Sequence, residues 1–213
     1  ATPLEPCTFG GRRKRIGISS YLVWENLSST ANTVTVTFFP EGLPSWTIVK
    51  TTQPFRRGGL NIAQLLSVPD GIFSIQITSS GPIVAALSQY RAAPARASLE
   101  LGVVTGGNTE GILPGAYIAS TGQATISGLY TGSTSPLVTI DFQFILSDGT
   151  ILTNTTPFTL GTGVRQRSFN IAQSNVALPT NQFFTIRYKV RNASAPVTLA
   201  YYSVTASGDA IAT

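Results

Sequence analysis

Apolar and polar residues alternate with a period of two along much of the chain. Val34, Val36 and Phe38 alternate with Thr35 and Thr37, and Val138, Ile140, Phe142 and Phe144 alternate with Thr139, Asp141 and Gln143. Successive side chains of a strand point to opposite faces, so this pattern predicts strands with one face in a core and the other toward water. Phe73, Ile75 and Ile77 against Ser74 and Gln76 predict a third strand. Phe184, Ile186, Tyr188 and Val190 against Thr185, Arg187 and Lys189 predict a fourth, with a basic outer face. Turn signals fall between such runs at Pro40-Glu41-Gly42, Pro69-Asp70-Gly71, Ser80-Gly81-Pro82 and Ser147-Asp148-Gly149, where Pro fixes φ and Gly admits positive φ. The best helical candidates, Leu60 to Leu66 and Phe169 to Gln173, are long enough for a turn or two only. The chain reads as all-β.

Blocks of sequence recur in order. Leu60-Asn61-Ile62-Ala63-Gln64 returns as Phe169-Asn170-Ile171-Ala172-Gln173, 109 residues later, and Val34 to Phe38 matches Val138 to Phe142 at an offset of 104. Phe73-Ser74-Ile75 matches Phe184-Thr185-Ile186 at 111, and Pro82 to Ala86 matches Pro196 to Ala200 at 114. Offsets that drift only slowly predict a tandem duplication of a unit of about 100 residues, the size of an immunoglobulin-like sandwich. The expected architecture is two tandem immunoglobulin-like antiparallel β-sandwich domains related by internal duplication. The expected boundaries are a basic N-terminal arm at 1–15, one repeat at 16–94, a Gly-rich inter-domain segment at 95–120 and a second repeat at 121–213.

Within this frame, Ser20-Tyr21-Leu22-Val23-Trp24-Glu25-Asn26, the run from Thr33 to Phe39, Ser79-Ser80-Gly81-Pro82-Ile83-Val84-Ala85 and Gln89-Tyr90-Arg91 carry a likeness. The chain resembles a poorly characterised β-sandwich repeat of secreted and surface bacterial proteins. The second copy is looser, with Asn192-Ala193-Ser194-Ala195-Pro196 in place of Ser-Gly-Pro, while Leu101-Gly102-Val103 and Thr109-Glu110-Gly111 look like that family's inter-repeat segment. The resemblance implies an envelope or surface location and no assigned activity.

Composition narrows the chemistry. The 213 residues include no His and one Cys, and 11% are charged, well below the roughly 25% of an average soluble domain. Histidine-dependent triads and His-based metal sites are thereby excluded. Asp70, Asp141 and Asp148 stand apart from one another without a calcium-loop spacing. No apolar run reaches the roughly 18–20 residues of a spanning helix. The expectation is a non-enzymatic protein with no cofactor, no metal site and no membrane span. The lack of Met, including an initiator, adds the expectation of a removed signal peptide and an extracellular or cell-surface location.

The charge is unevenly placed. Of the net +5, +3 lies in residues 1–15, where Arg12, Arg13, Lys14 and Arg15 face Glu5 alone. The arm is read as the assembly element, with Thr2, Leu4, Cys7, Phe9, Arg12, Arg13, Lys14 and Arg15 as contact residues and strand donation by Thr2 to Phe9 as the mechanism. Its deletion is expected to leave folded monomers that no longer assemble. Trp24, Trp46, Tyr21, Tyr90 and Tyr130 could stack on sugars, although packing is the better reading for large aromatics in a sandwich. Glycosylation sequons begin at Asn26, Asn154 and Asn192.

These observations favour a secreted structural subunit, a homo-oligomer or polymer of a filament or surface layer, joined by edge strands and the arm. A viral or phage shell protein with a nucleic-acid-facing arm is the second reading. An adhesin or carbohydrate-binding module with a cell-surface or glycan partner is the third.

Overall fold

A computed structural model of the chain describes residues 7–14, 18–91, 96–101, 103–104, 109–120, 123–130, 137–161, 163–192, 197–204 and 210–212. The chain divides into two compact units, Ala1–Gly106 and Gly107–Thr213. Every strand pairing is antiparallel.

The first unit contains β1 (Cys7–Lys14), β2 (Ile18–Asn26), β3 (Asn32–Pro40), β4 (Trp46–Thr52), β5 (Arg57–Asn61), β6 (Gly71–Ser79), β7 (Ile83–Arg91), β8 (Arg96–Leu101) and β9 (Val103–Val104). They form two sheets, in the orders β4-β3-β6-β1-β9 and β5-β2-β7-β8. The predicted alternation places Val34, Val36, Phe38, Phe73, Ile75 and Ile77 inward from the first sheet, against Leu22, Trp24, Leu60, Ala85 and Leu87 of the second. Burying such side chains contributes about 1.5–3 kcal/mol each in transfer free energy, which ties the two sheets into one sandwich-like core.

The second unit contains β10 (Glu110–Tyr117), β11 (Gln123–Tyr130), β12 (Val138–Leu146), β13 (Ile151–Thr153), β14 (Phe158–Leu160), β15 (Gln166–Asn170), β16 (Phe183–Val190), β17 (Val197–Val204) and β18 (Ala210–Ala212). Its sheets run β10-β16-β12-β13, with β14 also on β12, and β15-β11-β17-β18. Strand by strand the order matches the first unit: β12, β16 and β10 stand as β3, β6 and β1 do, and β15, β11, β17 and β18 as β5, β2, β7 and β8 do. The repeated Asn-Ile-Ala-Gln block makes a single 3₁₀ turn in each unit, at Ile62–Gln64 and Ile171–Gln173. Both turns bury their Ile completely.

The first strand of each unit carries a register shift, between Phe9 and Arg12 in β1 and between Leu113 and Ala116 in β10. These are the Gly10-Gly11 and Pro114-Gly115 positions. Gly115 has φ +70, a conformation that costs glycine little and that commonly accompanies a bulge.

Two expected boundaries are corrected. The 1–15 segment is not a free arm through Lys14, because β1 pairs with β6 and β9 inside its own unit and Phe9 is fully buried in that unit's core. The 95–120 segment does not lie between the units: β8 and β9 belong to the sheets of the first unit and β10 pairs with β16 in the second. Among the described residues, no helix is long and apolar enough to cross a membrane.

Candidate interaction surfaces

The expected assembly residues are distributed as follows. Thr2, Leu4 and Arg15 lie outside the described residues. Cys7 pairs across β1 with Ile77 and Val104, Phe9 with Ile75, Arg12 with Phe73, Arg13 with Ile72 and Lys14 with Gly71. The backbone that was to be donated to a neighbour already fills a place between β6 and β9. Cys7 is half-buried against the core, and burial pushes its thiol up to about 11. Since the thiolate is the reactive form, this thiol is poorly suited to crosslinking at neutral pH.

The aromatic candidates separate. Trp24 is 2% exposed and donates its indole N–H to Thr52 Oγ1 at 2.7 Å. A Cβ on Gly58, its cross-strand neighbour, would fall 2.4 Å from the Trp24 Nε1, so this glycine is what lets the indole lie flat. Trp46 stacks on the core Phe38 with ring centroids 4.3 Å apart, and Tyr130 is buried in the second unit's core. Tyr21 and Tyr90 are different. They form an edge-to-face pair, 6.0 Å between centroids, on the outer face of the β5-β2-β7-β8 sheet.

That outer face is apolar. Tyr21, Val23, Val84 and Tyr90 are 38%, 44%, 49% and 49% exposed, and cross-strand register sets Val23 opposite Ala86 and Gly59. Among the described side chains of this face, Glu25 and Arg57 are the charged ones, and they pair with each other at 3.5 Å.

The β10-β16-β12-β13 sheet presents the opposite chemistry on its outer face. Arg187 and Lys189 are exposed there, opposite Gln143 and Asp141 of β12. Arg191, just past β16, grips Asp141 through Nε at 2.9 and 3.1 Å and through one terminal nitrogen at 2.9 Å. The hydrogen bonds and charge of Asp141 raise the Arg191 pKa above its ordinary value. These groups, with Thr153 of β13, line a depression of about 520 Å³. The basic alternation of β16 and the strand that carries Asp141 were legible in the sequence; the pairing that brings Asp141 beside Lys189 was not.

The sequon asparagines are structural. Asn26 is fully buried; its amide donates to the carbonyls of Thr30, Thr52 and Gln53 at 2.8–3.2 Å, while its oxygen accepts from Ser28 N–H and from Asn32. Asn154 is buried and closes a local turn with Thr156. Asn192 donates to the Leu137 carbonyl and accepts from the Thr139 N–H. Asp148 accepts from the Thr150 N–H, which lowers its pKa, as its reading as a turn residue requires. Among the described residues, no group of three or more His, Cys, Asp or Glu is placed to hold a metal.

No protein-family profile matches the chain, and no curated protein sequence matches it. A solved structure titled "Crystal Structure of Thermotoga maritima 1070" is similar over 48% of this chain and 96% of its own, at 16% identity and a TM-score of 0.44.

Proposed function

We propose that the protein is a non-enzymatic structural subunit of an extracellular filament or surface layer, and that copies associate through the outer face of the β5-β2-β7-β8 sheet. The observation that carries this reading is the exposed set Tyr21, Val23, Val84 and Tyr90. Contiguous apolar surface on a sheet is costly in water and is relieved by docking. Among the described side chains of this face, Glu25 and Arg57 balance each other's charge, so a neighbouring copy docks on it without charge repulsion. Identical faces meeting would close a dimer, so a filament or layer requires a second, different contact surface on each copy. Contact residues thus pass from the arm to a sheet face.

Each unit is proposed to be a variant immunoglobulin-like sandwich, and the two units to be products of tandem duplication. The ordered sequence blocks, the matched strand orders and the paired 3₁₀ turns support both points. In an immunoglobulin sandwich the first strand lies beside the second, whereas here β1 lies beside β6 in the opposite sheet. The likeness to repeats of secreted bacterial surface proteins supports the proposed location, which cell fractionation tests.

Negative-stain imaging of the native material tests the function. Filaments or layers are expected, and Val23→Lys is expected to abolish them while leaving the circular dichroism spectrum unchanged. Dispersed monomers in the unmodified protein, or polymers unaffected by Val23→Lys, would contradict the proposal.

A further inference from the structure

The two units present corresponding sheets with unlike outer faces. In the first unit the cross-strand pairs of β3 and β6 there are Thr35–Thr78 and Thr37–Gln76, all uncharged. On β12 and β16 the pairs are Asp141–Lys189 and Gln143–Arg187, and Arg191 adds a third cation. In a chain with 14 basic residues among 213, three at alternate positions of one segment are a concentration that folding does not require. Cations on one face of a strand repel one another, and Asp141 is engaged by Arg191. Among the described residues, neither Arg187 nor Lys189 forms an ion pair with a carboxylate, although register sets Lys189 between Asp141 of β12 and Glu110 of β10. Arg187 stands between Gln143 and Ile112 with no carboxylate opposite it, whereas the corresponding positions of the first unit are Thr and Gln.

We propose that the outer face of β12 and β16 binds an anionic saccharide, with Arg187 and Lys189 meeting its carboxylate or sulfate group. Gln143 and Thr153 supply amide and hydroxyl groups for sugar hydroxyls. The bidentate Arg191–Asp141 pair holds a carboxylate edge in a fixed orientation, from which Asp141 can accept further hydrogen bonds. The depression of about 520 Å³ is local, and three cations are few for tracking a nucleic-acid backbone. Tyr188 points into the core, buried against it, so it offers no ring for base stacking. The site lies in the second unit and the proposed association face in the first, so the two can fail independently.

The test is titration calorimetry of the full chain with polygalacturonate, neutral dextran, inorganic phosphate and a duplex DNA oligonucleotide. Polygalacturonate is expected to bind, with affinity falling as salt rises, and dextran is expected not to bind. Arg187→Gln with Lys189→Gln is expected to weaken polygalacturonate binding by at least about tenfold, since each loses a charge-assisted hydrogen bond, with an unchanged melting temperature. Lys50→Gln, at an exposed cation of the first unit, is expected to have no effect. No polygalacturonate binding, equal binding by the double variant, an equal loss with Lys50→Gln, or tighter binding of phosphate or DNA would each overturn the proposal.

Discussion

Asn26 sits at the end of β2 where three carbonyls and two donors converge on one side chain. Replacing it with Ala leaves buried backbone groups without partners, each costing about 1–3 kcal/mol. Asn26→Ala is therefore expected to lower the unfolding free energy by at least about 2 kcal/mol, measured by urea denaturation; a loss below about 0.5 kcal/mol, the size of an ordinary surface substitution, would contradict the network. The same bonds leave no room for a glycan at Asn26, so its sequon is incidental to a turn. Cys7 bears on alkaline stability. Burial pushes its thiol pKa from the ordinary 9.0 up to about 11, so the folded state holds its proton more tightly than the unfolded chain. The stability this represents is complete below about pH 9 and is lost as pH rises toward about 11. Burial raises the Tyr188 pKa as well, which adds loss in the same direction at higher pH. The denaturation midpoint is expected to fall more steeply between pH 9 and 11 in the native protein than in Cys7→Ala; identical slopes would remove Cys7 from this role.

Strand β1 shows how a charged run conceals an element. Arg12-Arg13-Lys14 follows Gly10-Gly11, and charge with paired glycines reads as a solvated tail. The glycines instead fall at a register shift, and the strand resumes pairing at Arg12 opposite Phe73. With Phe9 at the centre of the core, deleting residues 1–14 removes a sheet strand. Cooperative unfolding of the first unit is expected to be lost, seen by calorimetry, and a truncated chain that still unfolds cooperatively at the native temperature would show β1 to be dispensable. The other strands were legible because their inward positions are large and apolar: Val34, Val36 and Phe38, or Phe142 and Phe144, leave one assignment of faces. The repeated Asn-Ile-Ala-Gln was legible as a short helical turn for the same reason, its Ile being the core anchor. Segment 95–120 was obscured by its glycines, because pairing of β8 with β7 and of β10 with β16 depends on partners distant in sequence. The Asp141 and Lys189 juxtaposition was hidden likewise, since cross-strand register across 48 residues leaves no local signal.

At the scale of the molecule, two units of matched strand order carry different surfaces: an apolar, charge-balanced sheet face in the first and a cationic one in the second. The scarcity of charge is thus unevenly distributed, and the unevenness separates the two proposed roles, self-association and anion binding. Each apolar side chain on the first unit's face is only partly exposed, so the gain from burying it in one contact is largely offset by an association cost of about 4–15 kcal/mol. Association is consequently expected to be weak per contact and strongly dependent on concentration. Sedimentation velocity of the native chain over a dilution series, beside Tyr90→Lys, tests this most directly. The native boundary is expected to shift to larger species as concentration rises while Tyr90→Lys stays monomeric; a single monomeric boundary for both at every concentration would contradict a structural subunit built on this face.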